Sequence, residues 1–293
     1  MPLIQRTTPY SHWEFSAEAG GDLLRLVPER GGLLSGWCCN GLELLYLDEA
    51  RFADPALSVR GGMPVLFPIC GNLPADQLPL PQGNFTLQQH GFARDLPWEL
   101  EELPGAEGVR LSLGESPASL AMFPFPFRLQ LELRPQPGAL AIAVLLHNPG
   151  PEPLPFAFGL HPYFALSSLA AAALEGLPEQ CFDHGTMAAA ATAPLLERLE
   201  QGVDLLAQPG AAVRLLDRGS GLVLELQAEA PFDLAVVWSD PPRPMVCLEP
   251  WTAPRGALVS GERRLEVAPA QTCRLACRYQ LIEASGISPQ DPA

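Results

Sequence analysis

Two segments of this 293-residue chain, Gly159-Leu160-His161-Pro162-Tyr163-Phe164 and Cys247-Leu248-Glu249-Pro250-Trp251, each set one proton-carrying side chain in a stiff, aromatic-rich frame. An imidazole and a carboxylate held this way are the parts needed to put one proton on a small polar substrate and take one off it, without metal or cofactor. A third segment, Gln89-His90-Gly91-Phe92-Ala93-Arg94, adds a second imidazole and, four residues on, a cation. Pro162 biases His161 away from helix, and Phe158, Tyr163 and Phe164 would lower the dielectric around it, favouring the neutral ring. Glu249 ends the apolar run Met245-Val246-Cys247-Leu248, so partial desolvation should raise its pKa towards the range where a base works best.

Each candidate has a plainer reading. Glu249 could be a strand-end glutamate paired with Arg255 or Arg243, and any histidine can be a hydrogen-bonded structural group. His12, near the N-terminus, and His147, beside an Asn-Pro-Gly turn, keep that structural reading; His184, in Phe182-Asp183-His184-Gly185, sits in a turn-like context and stays ambiguous. Arg60 precedes Gly61-Gly62-Met63-Pro64, where two glycines permit close backbone approach to a ligand or simply make a turn. The chain has no glycine-rich nucleotide fingerprint, no serine nucleophile elbow and no His/Cys/Asp run with metal spacing. Neither metal nor nucleotide nor any other cofactor is expected.

Composition narrows the class. The net charge is −15, and all 18 cationic residues are arginine. Schiff-base catalysis by lysine and a lysine phosphate loop are therefore excluded, and such an acidic surface repels nucleic acid and anionic lipid. A small molecule is the expected partner, with neither nucleic acid nor membrane. No basic start leads into an apolar stretch, and no apolar run is long enough to span a bilayer, so a soluble, cytoplasmic protein is expected. The seven cysteines show no zinc or disulfide framework. Cys273 and Cys277 fall on a strand pattern that puts them roughly 13 Å apart, and Cys38 and Cys39 point to opposite strand faces. All read as reduced thiols.

With 33 prolines and 26 glycines, turns should outnumber long helices. Period-2 or apolar runs recur at Leu23 to Val27, Leu42 to Leu47, Val109 to Leu113, Phe127 to Arg134, Ala139 to Leu146, Leu222 to Leu226 and Leu234 to Trp238. In Phe127 to Arg134 the leucines 129, 131 and 133 alternate with polar residues, the pattern of a half-buried antiparallel strand. Turn signals such as Pro137-Gly138 and Arg218-Gly219-Ser220-Gly221 close the intervals. The expected fold is all-β, mainly antiparallel: one large sandwich over residues 1–283 with few short helices, and a frayed tail over 284–293. Leu169 to Ala191 mixes alanine runs with Gly176, Pro178 and Gly185 and reads as strand and loop, while Leu195 to Leu206 has room for one short helix or turn.

Four segments in order, Arg60-Gly61-Gly62-Met63-Pro64-Val65-Leu66-Phe67-Pro68, His90-Gly91-Phe92-Ala93-Arg94 with Trp98, Gly159 to Phe164, and Glu249-Pro250-Trp251, resemble the aldose 1-epimerases, or galactose mutarotase-like proteins. Each is weak alone and jointly they are specific. The resemblance implies a large antiparallel β-sandwich with a sugar site on its open face. It implies Glu249 as the base for the anomeric hydroxyl, His161 as the acid for the ring oxygen, and His90 as the residue that binds and orients the sugar. Trp251 would contribute to an aromatic wall. The Arg-Gly-Gly and His-Gly-Phe-Ala-Arg versions are more similar to the hexose-6-phosphate mutarotase branch, in which arginines matching Arg60 and Arg94 hold an anion; two guanidinium groups suit a phosphate. The family's sugar-contacting aspartate maps to Asp204, although Leu205 and Ala207 replace the basic residue and aromatic that usually follow it in that branch. The implied partner is a sugar or sugar phosphate.

Two other classes compete with an enzyme. A sugar-binding module would keep the sandwich and its aromatic wall but would not need a matched acid and base. A purely structural sandwich would leave the joint occurrence of the four segments unexplained.

Overall fold

In the computed structural model, which describes residues 3–16 and 22–282, the alternating segments are strands close to their expected bounds: Leu23–Val27, Val109–Gly114, Arg128–Gln136, Ala139–His147, Leu222–Ala228 and Leu234–Ser239. The run from Leu42 behaves differently. Only Leu42–Glu43 is a strand, because the Glu43 carboxylate itself accepts the Trp37 and Leu45 amides and takes over part of the ladder's role. Beyond it, single bridges tie Leu45 to Phe164 and Leu47 to Gly61.

Three sheets carry the fold. One runs Ala172–Glu175, Val213–Asp217, Leu222–Ala228, Thr272–Ile282, Ala139–His147, Arg128–Gln136, Val109–Gly114, Glu99–Glu102. The second runs Ala188–Ala191, Gln180–Asp183, Val203–Ala207, Leu234–Ser239, Met245–Trp251, Gly159–Leu160, Val65–Leu66, and Tyr163–Ala165 also pairs with Met245–Trp251. The third comprises the five strands of residues 4 to 43. Every ladder between these strands is antiparallel. The alanine-rich stretch is strand and loop, since pairing of Gln180–Asp183 with Ala188–Ala191 overrides helix propensity. A short helix, Thr192–Leu196, and a 3-10 turn, Leu199–Gln201, precede Val203–Ala207. The longest helix among the described residues, Pro117–Met122, starts at a Ser116/Ser119 capping box. None is long and apolar enough to cross a membrane.

The two large sheets pack face to face. Leu129, Leu131 and Leu133 are buried in the same hydrophobic cluster as Leu205, Val237 and Leu248. That cluster runs from Phe15 to Tyr279. On the opposite face of Arg128–Gln136, Glu132 is paired with Arg110 at 2.6 Å and Arg134 at 2.5 Å. Tyr279 crosses the layers: its hydroxyl donates to the Leu248 carbonyl at 2.6 Å. The described cysteines are free thiols, with Cys273 and Cys277 on the single strand Thr272–Ile282. The expected frayed tail, 284–293, lies outside the described residues.

Asp217 ends the strand Val213–Asp217 as a polar knot. Its carboxylate accepts from the Ser167 amide at 2.7 Å, the Ser167 hydroxyl at 2.5 Å, the Ser220 hydroxyl at 2.8 Å and the Gly219 amide at 3.0 Å. Burial alone would raise its pKa, but these donors outweigh burial and hold it below the usual range. Asp217→Ala should therefore cost about 3 kcal/mol of stability at pH 7 in urea denaturation. Because the folded pKa is depressed, this stabilisation is complete above the unfolded value near 4 and fades as pH falls through the folded one. The gap between wild type and variant should narrow below about pH 4.

Candidate active site

Register places the site floor. Asp204 pairs with Trp238, Trp238 with Cys247, and Cys247 with Tyr163, so these side chains line up across one face of the second sheet; Asp204, Trp238 and Tyr163 line the cleft, and Cys247 lies buried beneath them. One step along, Leu206 pairs with Val236 and Val236 with Glu249. The intervening residues of Met245–Trp251, Val246 and Leu248, point into the core. One strand thus presents Glu249 on its cleft side and anchors the sandwich on the other.

Three loops build the walls. His161 lies between Gly159–Leu160 and Tyr163–Ala165, both hydrogen-bonded to Met245–Trp251, and its amide donates to the Pro64 carbonyl. His90 lies opposite, in the left-handed region at φ 69°. Its amide donates to the Gly71 carbonyl at 2.8 Å, and its Nδ1 accepts from the Gly71 amide at 3.1 Å. With Nδ1 an acceptor, the neutral ring carries its proton on Nε2. The parallel bridge Phe67↔Gly91 locks this loop. The glycines before Met63 serve packing against the chain itself: a Cβ on Gly61 would lie 2.5 Å from Leu47 Cα, and one on Gly62 would lie 2.6 Å from the Leu34 carbonyl oxygen.

The resulting cleft of about 170 Å³ is lined by Arg60, His90, Arg94, His161, Asp204, Glu249 and Trp251, together with Ser58, Gln89, Tyr163, Val236, Trp238 and Arg255. All seven residues singled out in the sequence meet in it. Its size suits a single small polar molecule.

Glu249 is 1% exposed. Its Oε2 accepts from the Trp251 indole at 3.0 Å, and its Oε1 is 3.4 Å from His161 Nε2. Burial raises its pKa well above the carboxylate range, opposed by the indole hydrogen bond. Burial pushes His161 down to about 3, helped by the nearby Arg94 charge, and pushes His90 well below the usual histidine value, helped by His161. The empty cleft therefore favours neutral imidazoles and a protonated carboxyl. Of the aromatics expected around His161, only Tyr163 does that work, stacking at 4.8 Å and 13°. Phe158 packs on Phe232 and Phe164 on Tyr279, while Trp238 and His90 meet His161 edge-on. Trp251 is 1% exposed, so its indole serves as a strut for the carboxylate.

The plainer salt-bridge reading of Glu249 does not hold. Arg255 donates to Asp204 at 2.6 Å, and Arg243 pairs with Asp240 at 2.8 Å and Asp48 at 3.4 Å. Asp204 also binds His184 Nδ1 at 2.6 Å. Burial would raise its pKa, but the His184 and Arg255 contacts win and hold it below the usual carboxylate value. His184, left ambiguous by its turn context, stacks on Trp251 with centroids 6.2 Å apart. It and Arg255 are site residues the sequence did not single out; the turn Asp183-His184-Gly185 and the Trp251-to-Arg255 proximity were the only signals. His12 and His147 make local contacts with Tyr10 and Thr272. Arg60 and Arg94 differ from Arg255. Each has its nearest carboxylate at 3.9 Å, Asp240 and Asp95 respectively, and Arg94 also donates to the Gln89 carbonyl at 2.8 Å. Ligand atoms of His161, Cys247 and Glu249 lie within 4.8 Å of one another, a trio capable of holding a cation that linear spacing could not reveal.

The model describing aldose 1-epimerases matches residues 18–262. The structure is similar to that of the Slr1438 protein from Synechocystis sp. PCC 6803, at 34% identity and a TM-score of 0.88 over 93% of this chain and 96% of that one. A galactose mutarotase related enzyme from Lactobacillus acidophilus shares the fold, with 18% identity and a TM-score of 0.74 over 94% of this chain and 99% of that one. Among curated proteins, a "Putative glucose-6-phosphate 1-epimerase" of Cenchrus ciliaris is 36% identical over 75 residues, which is 25% of this chain and 20% of that protein's length.

The His90 loop has almost no steric slack. A Cβ on Gly91, at φ 72°, would fall 2.2 Å from the Phe67 carbonyl oxygen. Gly91→Ala should cost about 3 kcal/mol or more. Gly41→Ala, at φ 79° but with open space around it, should cost about 1 kcal/mol. Thermal unfolding of the two variants side by side checks the difference.

Proposed function

The chain belongs to the aldose 1-epimerase family, and on that footing we propose that it is a mutarotase acting on a hexose 6-phosphate, with Glu249 and His161 as its base and acid. The observation that carries the reaction type is the Glu249 Oε1 to His161 Nε2 distance of 3.4 Å at the bottom of a cleft with room for one sugar. Within this pair burial disfavours separated charge and so favours the proton on the carboxyl. A sugar whose O1 hydroxyl donates to Glu249 and whose ring oxygen accepts from His161 favours the charged arrangement, carboxylate and imidazolium.

From that arrangement Glu249 takes the O1 proton as the C1–O5 bond breaks, and His161 gives its proton to O5. The product is the open-chain aldehyde, with the active-site proton moved from His161 to Glu249. Rotation about C1–C2 turns the other carbonyl face to O5. Closure runs the same transfers backwards: His161 recovers the O5 proton and Glu249 returns one to O1, giving the other anomer. His90, as the Nε2–H tautomer, supplies a donor that fixes the ring, and Asp204, braced by His184 and Arg255, accepts from a sugar hydroxyl.

The phosphate reading rests on unequal arginines. Arg255 and Arg243 are tightly paired, whereas Arg60 and Arg94 keep their nearest carboxylates at 3.9 Å and face the same cleft. Burial also pulls the Arg94 guanidinium below its usual pKa, the mark of a desolvated cation that an anion would stabilise. The name of the Cenchrus ciliaris relative points to the same substrate class. Such local contacts are worth roughly 1.5–3 kcal/mol each, while the distant surface charge behind the −15 total is largely screened.

Glu249→Gln and His161→Ala should each slow anomeric exchange by about 10²–10⁴-fold with the fold intact, measured by NMR on freshly dissolved α-anomers. Near-wild-type exchange in either variant would remove that residue from the mechanism.

Arg94→Ala should lower kcat/KM for glucose 6-phosphate by about 10- to 100-fold, as expected for one charge-assisted contact, and affect free glucose far less. Equal losses on both sugars would make a free aldose the substrate and Arg94 a hydroxyl contact.

A further inference from the structure

We propose that His161, Cys247 and Glu249 form a binding site for a thiophilic divalent cation of the zinc class, and that its occupation closes the cleft to sugar. Cys247 and Glu249 are two residues apart on the cleft face of Met245–Trp251. His161 is held over them by a loop whose flanking strands both pair with that strand. The three donors are imidazole, thiol and carboxylate, the mixed borderline-soft set that zinc prefers over magnesium or calcium.

The spacing agrees. Two nitrogen or oxygen ligands bound at 2.0–2.1 Å to a tetrahedral ion lie about 3.3 Å apart, and His161 Nε2 and Glu249 Oε1 lie 3.4 Å apart with no ion between them. All three donor atoms fall within 4.8 Å of one another, and binding a tetrahedral ion would draw the thiol to about 3.6 Å from the other two. No protein hydrogen bond opposes a small tilt of the His161 ring, because its Nδ1 is buried without a partner. The Trp251 indole holds Glu249 Oε2, a supporting contact that leaves Oε1 to the metal. Cys247 does not line the sugar cleft but lies buried beneath it beside Tyr163 and Trp238, so the cation would sit at the cleft floor between the thiol and the acid/base pair.

On binding, the Zn–S bond forms as the thiol proton leaves to solvent, the neutral imidazole contributes a lone pair, and the carboxylate contributes an oxygen after losing any proton it holds. No group is oxidised or reduced, and thiolate plus carboxylate neutralise the ion. The prediction of inhibition rests on the mutarotase reading; the prediction of binding does not.

The test uses the whole protein, treated with chelator and titrated with Zn²⁺ or Co²⁺. One Co²⁺ per chain should give a thiolate-to-cobalt charge-transfer band, and Zn²⁺ should displace it. Cys247→Ser should abolish the band and weaken Zn²⁺ binding by more than about 100-fold, beyond the range of an outer-shell partner, while metal-free mutarotation persists. Zn²⁺ should raise the apparent KM for sugar in wild type and not in the variant. Absence of the band in wild type, or equal Zn²⁺ binding by wild type and Cys247→Ser, overturns the proposal. The band is read on unmutated protein, so a variant that fails to fold does not remove the test. Metal binding without any mutarotation would leave the cation site standing and refute the enzymatic reading instead.

Discussion

Among the described residues Glu249 accepts one side-chain hydrogen bond, from the Trp251 indole, and lies 3.4 Å from His161, with the Cys247 thiol within 4.8 Å. Withdrawing an ionised carboxylate from water costs several kcal/mol unless a partner compensates, and no arginine does so here. The arginines near it in sequence, Arg255 and Arg243, are committed to Asp204 and to Asp240 and Asp48. Burial therefore favours the neutral side chain, beside a ring that burial also keeps neutral. Every other feature of the cleft serves that arrangement: the indole fixes the carboxyl, Tyr163 stacks on the imidazole, and His90 stands edge-on to both His161 and Trp251.

Around this neutral centre the charges fall into two kinds. The Arg255–Asp204–His184 group is closed, each member bound at 2.6 Å, and acts as a fixed polar wall. Arg60 and Arg94 are open, held by longer contacts and, for Arg60, by the Trp238 ring at 5.9 Å. For Arg94, burial also lowers the guanidinium from its usual pKa, as expected of a partly desolvated cation without a close anion. Both arginines line the same cleft, and that shared placement is what the proposal of a phosphorylated sugar rests on.

An alternating strand such as Arg128–Gln136 was legible because period-2 patterning and burial on one face are the same fact stated twice, and Ala139–His147 was legible as a continuous apolar run buried on both faces. His161 and Glu249 were legible for a related reason: each interrupts an apolar segment where a charge needs an explanation. His184 and Arg255 were not, since their roles arise from Asp204, which is 20 and 51 residues away from them. The donor trio was hidden in the same way, because His161 reaches Cys247 and Glu249, two residues apart on one strand, only through cross-strand pairing. The Gly61-Gly62 pair was visible as special, but its neighbour turned out to be the chain's own backbone at Leu47 and Leu34 rather than a ligand.

The Tyr279 hydroxyl bound to the Leu248 carbonyl joins the residue immediately before Glu249 to the far layer of the sandwich. The height of the carboxyl above the sheet is thus set by a strand that never touches the cleft. Drift in the composition of that distant layer, even among apolar residues of equal size, would register as a change in proton-transfer geometry before it registered as a change in fold. Tolerance to sequence variation should accordingly be lower along Thr272–Ile282 than its remoteness suggests.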